Sequence, residues 1–284
     1  MTGQIRALLF AAGVALAAPL PVAAQEGGLQ HFPLNAPEPQ GWSFGGIFGV
    51  FDQAQLQRGY QVYREVCSAC HSMNLVAFRN LGDPGGPHFS AEEVGALAAD
   101  FQVTDGPDDT GAMFVRPGRP YDNFPAPFAN PQEAAAANGG AVPPDLSVIA
   151  KARGVSRGVL ASLLDFFTTY QEGGPDYIHA LLMGYQDPPP NVEVPPGTYY
   201  NPYFINAVSL KMPQLLFDGA VSYSDGSPET ADQYARDVAA FLMWTAEPHL
   251  IERKRLGFQV IIFLAVFATL MYLTKRKVWA DVEH

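Results

Sequence analysis

Five residues, Cys67-Ser68-Ala69-Cys70-His71, constrain this chain more than any other stretch of it. The spacing C-x-x-C-H is the attachment signature of a c-type haem. Two residues between the thiols set the sulfurs at the spacing of the two porphyrin vinyl groups. The imidazole that follows lies beneath the iron as its proximal ligand. The chain has two cysteines, and both fall inside the motif. Zinc would need a second ligand pair, which the sequence lacks. A thiol-exchange motif would want a βαβ setting, whereas the flanks here read as helical. Covalent haem is the reading that fits.

The two ends of the chain speak about location. Arg6, an apolar run from Ala7 to Leu20 and the small-residue stretch Pro21-Val22-Ala23-Ala24 have the form of an export signal covering residues 1–24. Export suits the motif, because haem is attached to such proteins on the outer side of the bacterial inner membrane. A second apolar run, Leu256 to Thr274, carries no charge and has the length of one bilayer crossing. Arg253-Lys254-Arg255 precede it and Lys275-Arg276-Lys277 follow it, so basic flanks alone orient nothing. The export signal breaks the tie. Residues 25–252 are expected in the periplasm as the haem domain, with 253–284 as a single-pass anchor and short cytoplasmic tail. Tyr272 and Trp279 would sit as interfacial anchors.

Between Gln25 and Glu252 there are 26 acidic against 10 basic residues, more acidic in balance than the whole chain at −11. That sign excludes nucleic acid as a partner, which needs a basic face. It favours a cationic protein partner whose association slows as salt rises. The acidic stretches Asp100, Asp105, Asp108, Asp109 and Asp218, Asp225, Glu229, Asp232 are the candidates for steering it.

Periodicity predicts a mostly α domain with long irregular loops. Residues 25–50, rich in Gly, Pro and aromatics, read as an extended arm. Asp52 caps a helix running to Glu65, with Leu56, Tyr60 and Tyr63 on one face, and this helix delivers the haem motif. Ser90 and Glu93 form a capping box for a helix to Asp100. Residues 101–130 read as one long loop, and 131–137 as a helical turn or two. Leu146 to Ala150 reads as a helix ending near Lys151 and Arg153, Leu160 to Tyr170 as a buried helix, and Pro175 to Met183 as another. Residues 186–203 form a Pro- and Tyr-rich loop, and Tyr223-Ser224-Asp225-Gly226 signals a turn or short hairpin. Thr230 and Gln233 form a second capping box, opening a helix with Tyr234, Val238, Phe241 and Leu242 on one stripe and ending at Glu247.

The iron's second axial position separates a carrier from a catalyst. Among seven methionines, Met1 and Met271 are excluded by location, Met73 by nearness to His71, and Met183 and Met243 sit in apolar helices as core filler. His31, His88 and His249 lie in or beside flexible segments, and helical His179 reads as a satisfied core histidine. Met113 and Met212 both remain; Pro213 restricts Met212 to an extended backbone that can aim a side chain rigidly. Donors for the haem propionates would be Arg79, Arg116, Arg119 and Arg153, with Arg153 the first choice.

Together these motifs resemble the cytochrome c1 family, the haem c subunit of the cytochrome bc1 complex (ubiquinol–cytochrome c oxidoreductase). The matching stretches are Arg58-Gly59-Tyr60-Gln61-Val62-Tyr63 before the haem motif and Ala77-Phe78-Arg79 after it. Pro143-Pro144-Asp145-Leu146-Ser147 with Lys151-Ala152-Arg153, Tyr200-Asn201-Pro202-Tyr203, Lys211-Met212-Pro213 and Asp237 through Pro248 complete the likeness, followed by the basic-flanked anchor. The resemblance implies Met212 as sixth ligand, Arg153 near a propionate and Pro144 packed against the haem. It also implies cytochrome b in the membrane, a Rieske iron–sulfur protein with a mobile head as donor, a cytochrome c as acceptor, and a dimeric complex. Some bacterial relatives carry a disulfide near the methionine ligand; this chain has no cysteines for one. Within that complex the chain would be a subunit of a quinol–cytochrome c reductase with no bond-making site of its own. The rival reading is a free-standing, membrane-tethered c-type cytochrome shuttle. Its flexible linker has no room in Glu247-Pro248-His249-Leu250.

Overall fold

Asp52 starts the first helix by accepting from the Gln55 N–H at 3.2 Å, as an N-cap carboxylate does. The computed structural model describes residues 32–154 and 173–281. The expected export signal and the expected helix from Leu160 to Tyr170 lie outside the described residues. Helix α1 spans Gln53–Val62. It does not end at Glu65 as expected; it widens into a π-turn over Tyr63–Cys67, closed by the Ser68 N–H donating to the Tyr63 carbonyl at 2.8 Å. After the haem motif a 3₁₀ turn covers Phe78–Gly82.

Helix α2, Ala91–Ala99, opens on the predicted capping box: Glu93 N–H donates to the Ser90 hydroxyl at 3.2 Å and Ser90 N–H to the Glu93 carboxylate at 2.8 Å. The predicted loop 101–130 contains an antiparallel hairpin, β1 (Gln102–Asp105) with β2 (Phe114–Pro117). Its burial alternates too weakly to leave a period in the sequence, and ion pairs hold it instead. Arg116 bridges Asp105 within the hairpin and Asp122 beyond it at 2.6 Å. Helix α3 is Pro131–Ala137, capped by Asn130 and carrying Pro in its first turn.

Helix α4 is shorter than predicted, Ile149–Ala152, because Asp145, Leu146 and Ser147 spend their hydrogen bonds elsewhere. Helix α5 is Gly173–Met183. A Cβ on Gly174 would meet the Ala150 carbonyl oxygen at 1.6 Å, so only glycine lets α5 approach α4 this closely. Two residue pairs, β3 (Tyr199–Tyr200) and β4 (Ser209–Leu210), form a second antiparallel ladder. The signal at residues 223–226 is a turn, with Gly226 at φ 77° and no flanking strands.

Helix α6, Ala231–Ala246, buries Tyr234, Val238, Phe241 and Leu242 as the stripe requires. Its capping box is half made. Thr230 accepts from the Gln233 N–H at 3.3 Å, but the Gln233 amide turns down the helix to Asp237 at 2.8 Å. The principal helix packing is α1 against α6. Between them Phe241 lies 5.9 Å from the Tyr60 ring and 6.0 Å from Tyr63, and Phe124 extends the aromatic core to Phe78 at 4.3 Å. Each such large buried side chain stabilises the fold by about 3–5 kcal/mol against truncation to Ala.

The arm is more than a surface cover. Trp42 and Phe44 are buried, and the Trp42 indole N–H and Gln40 N–H both donate to Asp176 on α5 at 2.8 Å. At the other end Pro248 breaks the chain before helix α7, Leu250–Val278. Its 29 residues make it about 43 Å long at 1.5 Å per residue. It is long and apolar enough to cross a membrane, and its apolar window is wholly uncovered by the rest of the protein.

Candidate functional site

The π-turn sets the two cysteines and the histidine around one backbone oxygen. The N–H groups of Cys70 and His71 both donate to the Cys67 carbonyl, at 3.1 and 2.9 Å, and the Ser68 hydroxyl donates back to Arg64 at 2.7 Å. Burial pushes the Cys67 thiol up to about 12, the opposite of what thiol exchange needs. Among the described residues, no group of three or more His, Cys, Asp or Glu side chains is placed to hold a metal ion.

His71 is oriented by Pro144. Its Nδ1–H donates to the Pro144 carbonyl at 2.8 Å. Only a protonated Nδ1 can serve that acceptor, so the tautomer is fixed and Nε2 keeps its lone pair for a metal. Burial also holds the ring's pKa below the ordinary histidine value, keeping it neutral, the form a ligand requires.

The Pro-Pro-Asp-Leu-Ser stretch then zips onto the residues after His71. Leu146 N–H donates to the Ser72 carbonyl at 2.8 Å. Asp145 accepts from the Ser72 hydroxyl at 2.9 Å and from the N–H groups of Asn74 and Ser147 at 2.8 Å each. The Ser147 hydroxyl accepts from Leu75 N–H at 3.0 Å. Burial opposes charge on Asp145, but these donors outweigh it and hold the carboxyl below its usual range. Sequence reasoning gave Pro144 a place here but missed Asp145 and Ser147, although a short polar pair beside two prolines was a clue to a local hydrogen-bonded turn.

Met212 lies two residues past β4. Asn201, fully buried, donates to the Leu181 carbonyl at 2.8 Å and accepts from Tyr203 N–H at 3.0 Å, fastening this loop to α5. The Tyr185 hydroxyl donates to the Met212 carbonyl at 3.0 Å, and burial raises its pKa and keeps it a donor. Met212 itself is half-buried. Met113 is 60 % exposed at the foot of β2, unlike a ligand held in a pocket. Met73 and Met243 are core, whereas Met183, at the end of α5, is exposed rather than core. His179 is buried and bonded to Asp232 at 2.8 Å, a satisfied histidine as expected.

Residues 42–282 match the family model described as the Cytochrome C1 family. The chain belongs to the cytochrome c1 family. It is 57 % identical over 248 residues to "Cytochrome b/c1" of Bradyrhizobium diazoefficiens, covering 87 % of this chain and 36 % of that protein. It thus spans about a third of that relative's length. It is 43 % identical to "Cytochrome c1" of Rhodospirillum rubrum over the full length of both. To "Cytochrome c1, heme protein, mitochondrial" of Saccharomyces cerevisiae it is 46 % identical, over 92 % of this chain and 75 % of the other. As a member of that family the chain carries one covalent haem c and serves electron transfer in a bc1-type complex.

The arginines sort clearly against that cofactor. Arg116 is committed to Asp105 and Asp122. Arg119 donates to the Tyr121 hydroxyl at 2.6 Å and Arg79 reaches the Tyr121 carbonyl at 3.5 Å, both at the surface. Arg153 caps α4 near the Tyr177 phenol and pairs with no carboxylate among the described residues.

Proposed function

We propose that this chain takes single electrons from a Rieske iron–sulfur protein and passes them to a cytochrome c, within a quinol–cytochrome c reductase that also contains cytochrome b. The observation that carries the reading is the Nδ1–H of His71 committed to Pro144, directly after the cysteine pair. It leaves one imidazole nitrogen, Nε2, for iron. Cys67 and Cys70 would hold the haem as thioethers, His71 Nε2 and Met212 Sδ would be its axial ligands, and Pro144 would pack on its proximal side. Bound there, haem supplies one-electron exchange and, with both axial positions filled, no place for oxygen or peroxide. Arg153, without a carboxylate partner among the described residues, is the side chain suited to a propionate, and exposed Arg79 is a weaker second.

The relative from Bradyrhizobium, whose name joins b and c1 and which is nearly three times this chain's aligned share, supports a cytochrome b partner. The domain boundaries proposed are 1–24 as export signal, 25–252 as periplasmic haem domain and 253–284 as anchor of the inner membrane. Half of the eight acidic residues offered for steering are already paired: Asp100 with Arg64, Asp105 with Arg116, Asp225 with Arg58, Asp232 with Arg236. Docking of a cationic cytochrome c therefore relies on the net field more than on any one cluster. The deciding experiment is purification of the tagged full chain in mild detergent, followed by quinol addition. Cytochrome b and Rieske subunits should co-purify, and quinol should reduce the haem in the complex. A haem protein recovered alone, and reduced by quinol only through added shuttles, would favour the free-standing cytochrome instead.

A further inference from the structure

Gly41 to Phe51 is an eleven-residue stretch without a single charge, closed into a tight loop. Gly45 N–H donates to the Trp42 carbonyl at 2.9 Å and Val50 N–H to the Ser43 carbonyl at 3.0 Å. A Cβ on Gly49 would lie 1.9 Å from the Gly45 carbonyl oxygen, so glycine is required for the closure. The loop has two apolar sides. Trp42, Phe44 and Phe51 point into the core, with ring centroids 5.4 and 4.8 Å apart. Ile47, Phe48 and Val50 point out and are 46, 78 and 53 % exposed.

Scattered exposed apolar residues need no explanation, but three on one rigid tip do. The tip sits beside the start of α7. The Phe48 ring meets the Phe258 ring edge-on at 5.5 Å, and Lys254 Nζ donates to the Phe44 carbonyl at 2.5 Å. Phe258 lies beyond the basic residues Arg253, Lys254 and Arg255, inside the uncharged run. A side chain level with Phe258 is therefore level with the first turn of the span, below the plane where those cations meet headgroups.

We propose that the loop is a second membrane contact: Ile47, Phe48 and Val50 insert among the lipid acyl chains of the outer leaflet, next to the first turn of the uncharged span of α7. The occupant is lipid, because the tip continues the uncovered apolar surface of α7 and carries no donor, acceptor or charge on its outward side chains. The loop would then set the height and tilt of the haem domain over the bilayer. The inference rests on α7 crossing the membrane.

With both native cysteines occupied by haem, Phe48→Cys gives the haem-loaded full chain a sole free thiol for a nitroxide label. The labelled protein is examined in liposomes and in the purified complex, measuring collisions with oxygen, which partitions into lipid, and with a water-soluble nickel chelate. Ile47→Cys repeats the test at a neighbouring side chain, and Leu264→Cys marks mid-span. Severalfold higher collision with oxygen than with nickel at 47 and 48, in both preparations, is the expected result. Higher collision with nickel overturns the proposal, and so does loss of collision with both probes in the complex, which would mean a protein neighbour covers the tip. A lipid-exposed label at 264 beside a water-exposed one at 48 sinks the loop contact while leaving the anchor intact.

Discussion

A Cβ placed on Gly59 would stand 2.1 Å from the carbonyl oxygen of Asp237. Here α1 and α6 cross backbone to backbone, and the helix bearing the haem motif is located by that contact. Alanine is the better helix former by about 1 kcal/mol, but the obstruction is backbone and cannot rotate away. Gly59→Ala should therefore destabilise the haem-loaded protein by about 2–3 kcal/mol, within the range for overpacked cores. A denaturation midpoint equal to or above that of the parent would contradict the account.

Beside that crossing, Arg58 donates to Asp237 and to Asp225, each at 2.8 Å. The two carboxylates differ in exposure: the Asp237 side chain is 0 % and the Asp225 side chain 41 % exposed. Removing the buried partner breaks the inner half of the pair and leaves the Tyr223 hydroxyl and the Gln233 amide without their acceptor, at a cost of about 3–5 kcal/mol; removing the exposed one costs about 1 kcal/mol or less. Asp237→Ala should lower the unfolding free energy several times more than Asp225→Ala. Equal losses would place the stabilisation elsewhere.

Met212→Ala should abolish the methionine-to-iron charge-transfer band of the oxidised protein and lower the midpoint potential. The drop should be on the order of 0.1 V or more, a fraction of the roughly 0.8 V that axial ligands span. Met113→Ala should change neither. Tyr185→Phe should keep the band but let it vanish at lower denaturant, because the ligand loop has lost its hydroxyl anchor. A band that survives in Met212→Ala would remove that residue from the site.

Asp145 gives a pH signature. Its folded carboxyl titrates below the ordinary value of 3.8, so its stabilising bonds are fully present above that pH and are lost as pH falls through the folded value. Asp145→Asn should weaken the protein at neutral pH by about 1–3 kcal/mol and flatten the acid limb of the stability curve below about pH 4. An unchanged acid limb, followed by haem absorbance, would assign the acid sensitivity to other carboxylates.

What was legible in the sequence was whatever a local rule writes down. The caps at Asp52 and Ser90, the stripe on α6 and the cysteine spacing each depend on residues a few positions apart, and each is found where expected. The hairpin at 102–117 was not legible, because its stability comes from Arg116 reaching Asp122 rather than from alternating burial. Thr230 looked like half of a reciprocal cap, but Asp237 competes for the same Gln233 amide. Within the proposed site, spacing alone singled out Cys67, Cys70 and His71. It did not single out the supports: Asp145 meets Ser72, and Tyr185 meets Met212, across gaps of 73 and 27 residues. The loop around Met212, with no cysteine pair to close it, is held by hydrogen bonds from Asn201 and Tyr185.

At the head of α7, Glu247 binds Lys151 of α4 at 2.7 Å and also Arg253, while Leu250 is buried against the core. A domain bolted down in this way is a fixed post. Among the described residues no open linker separates the domain from α7, so the orientation of the domain is tied to the seating of that helix.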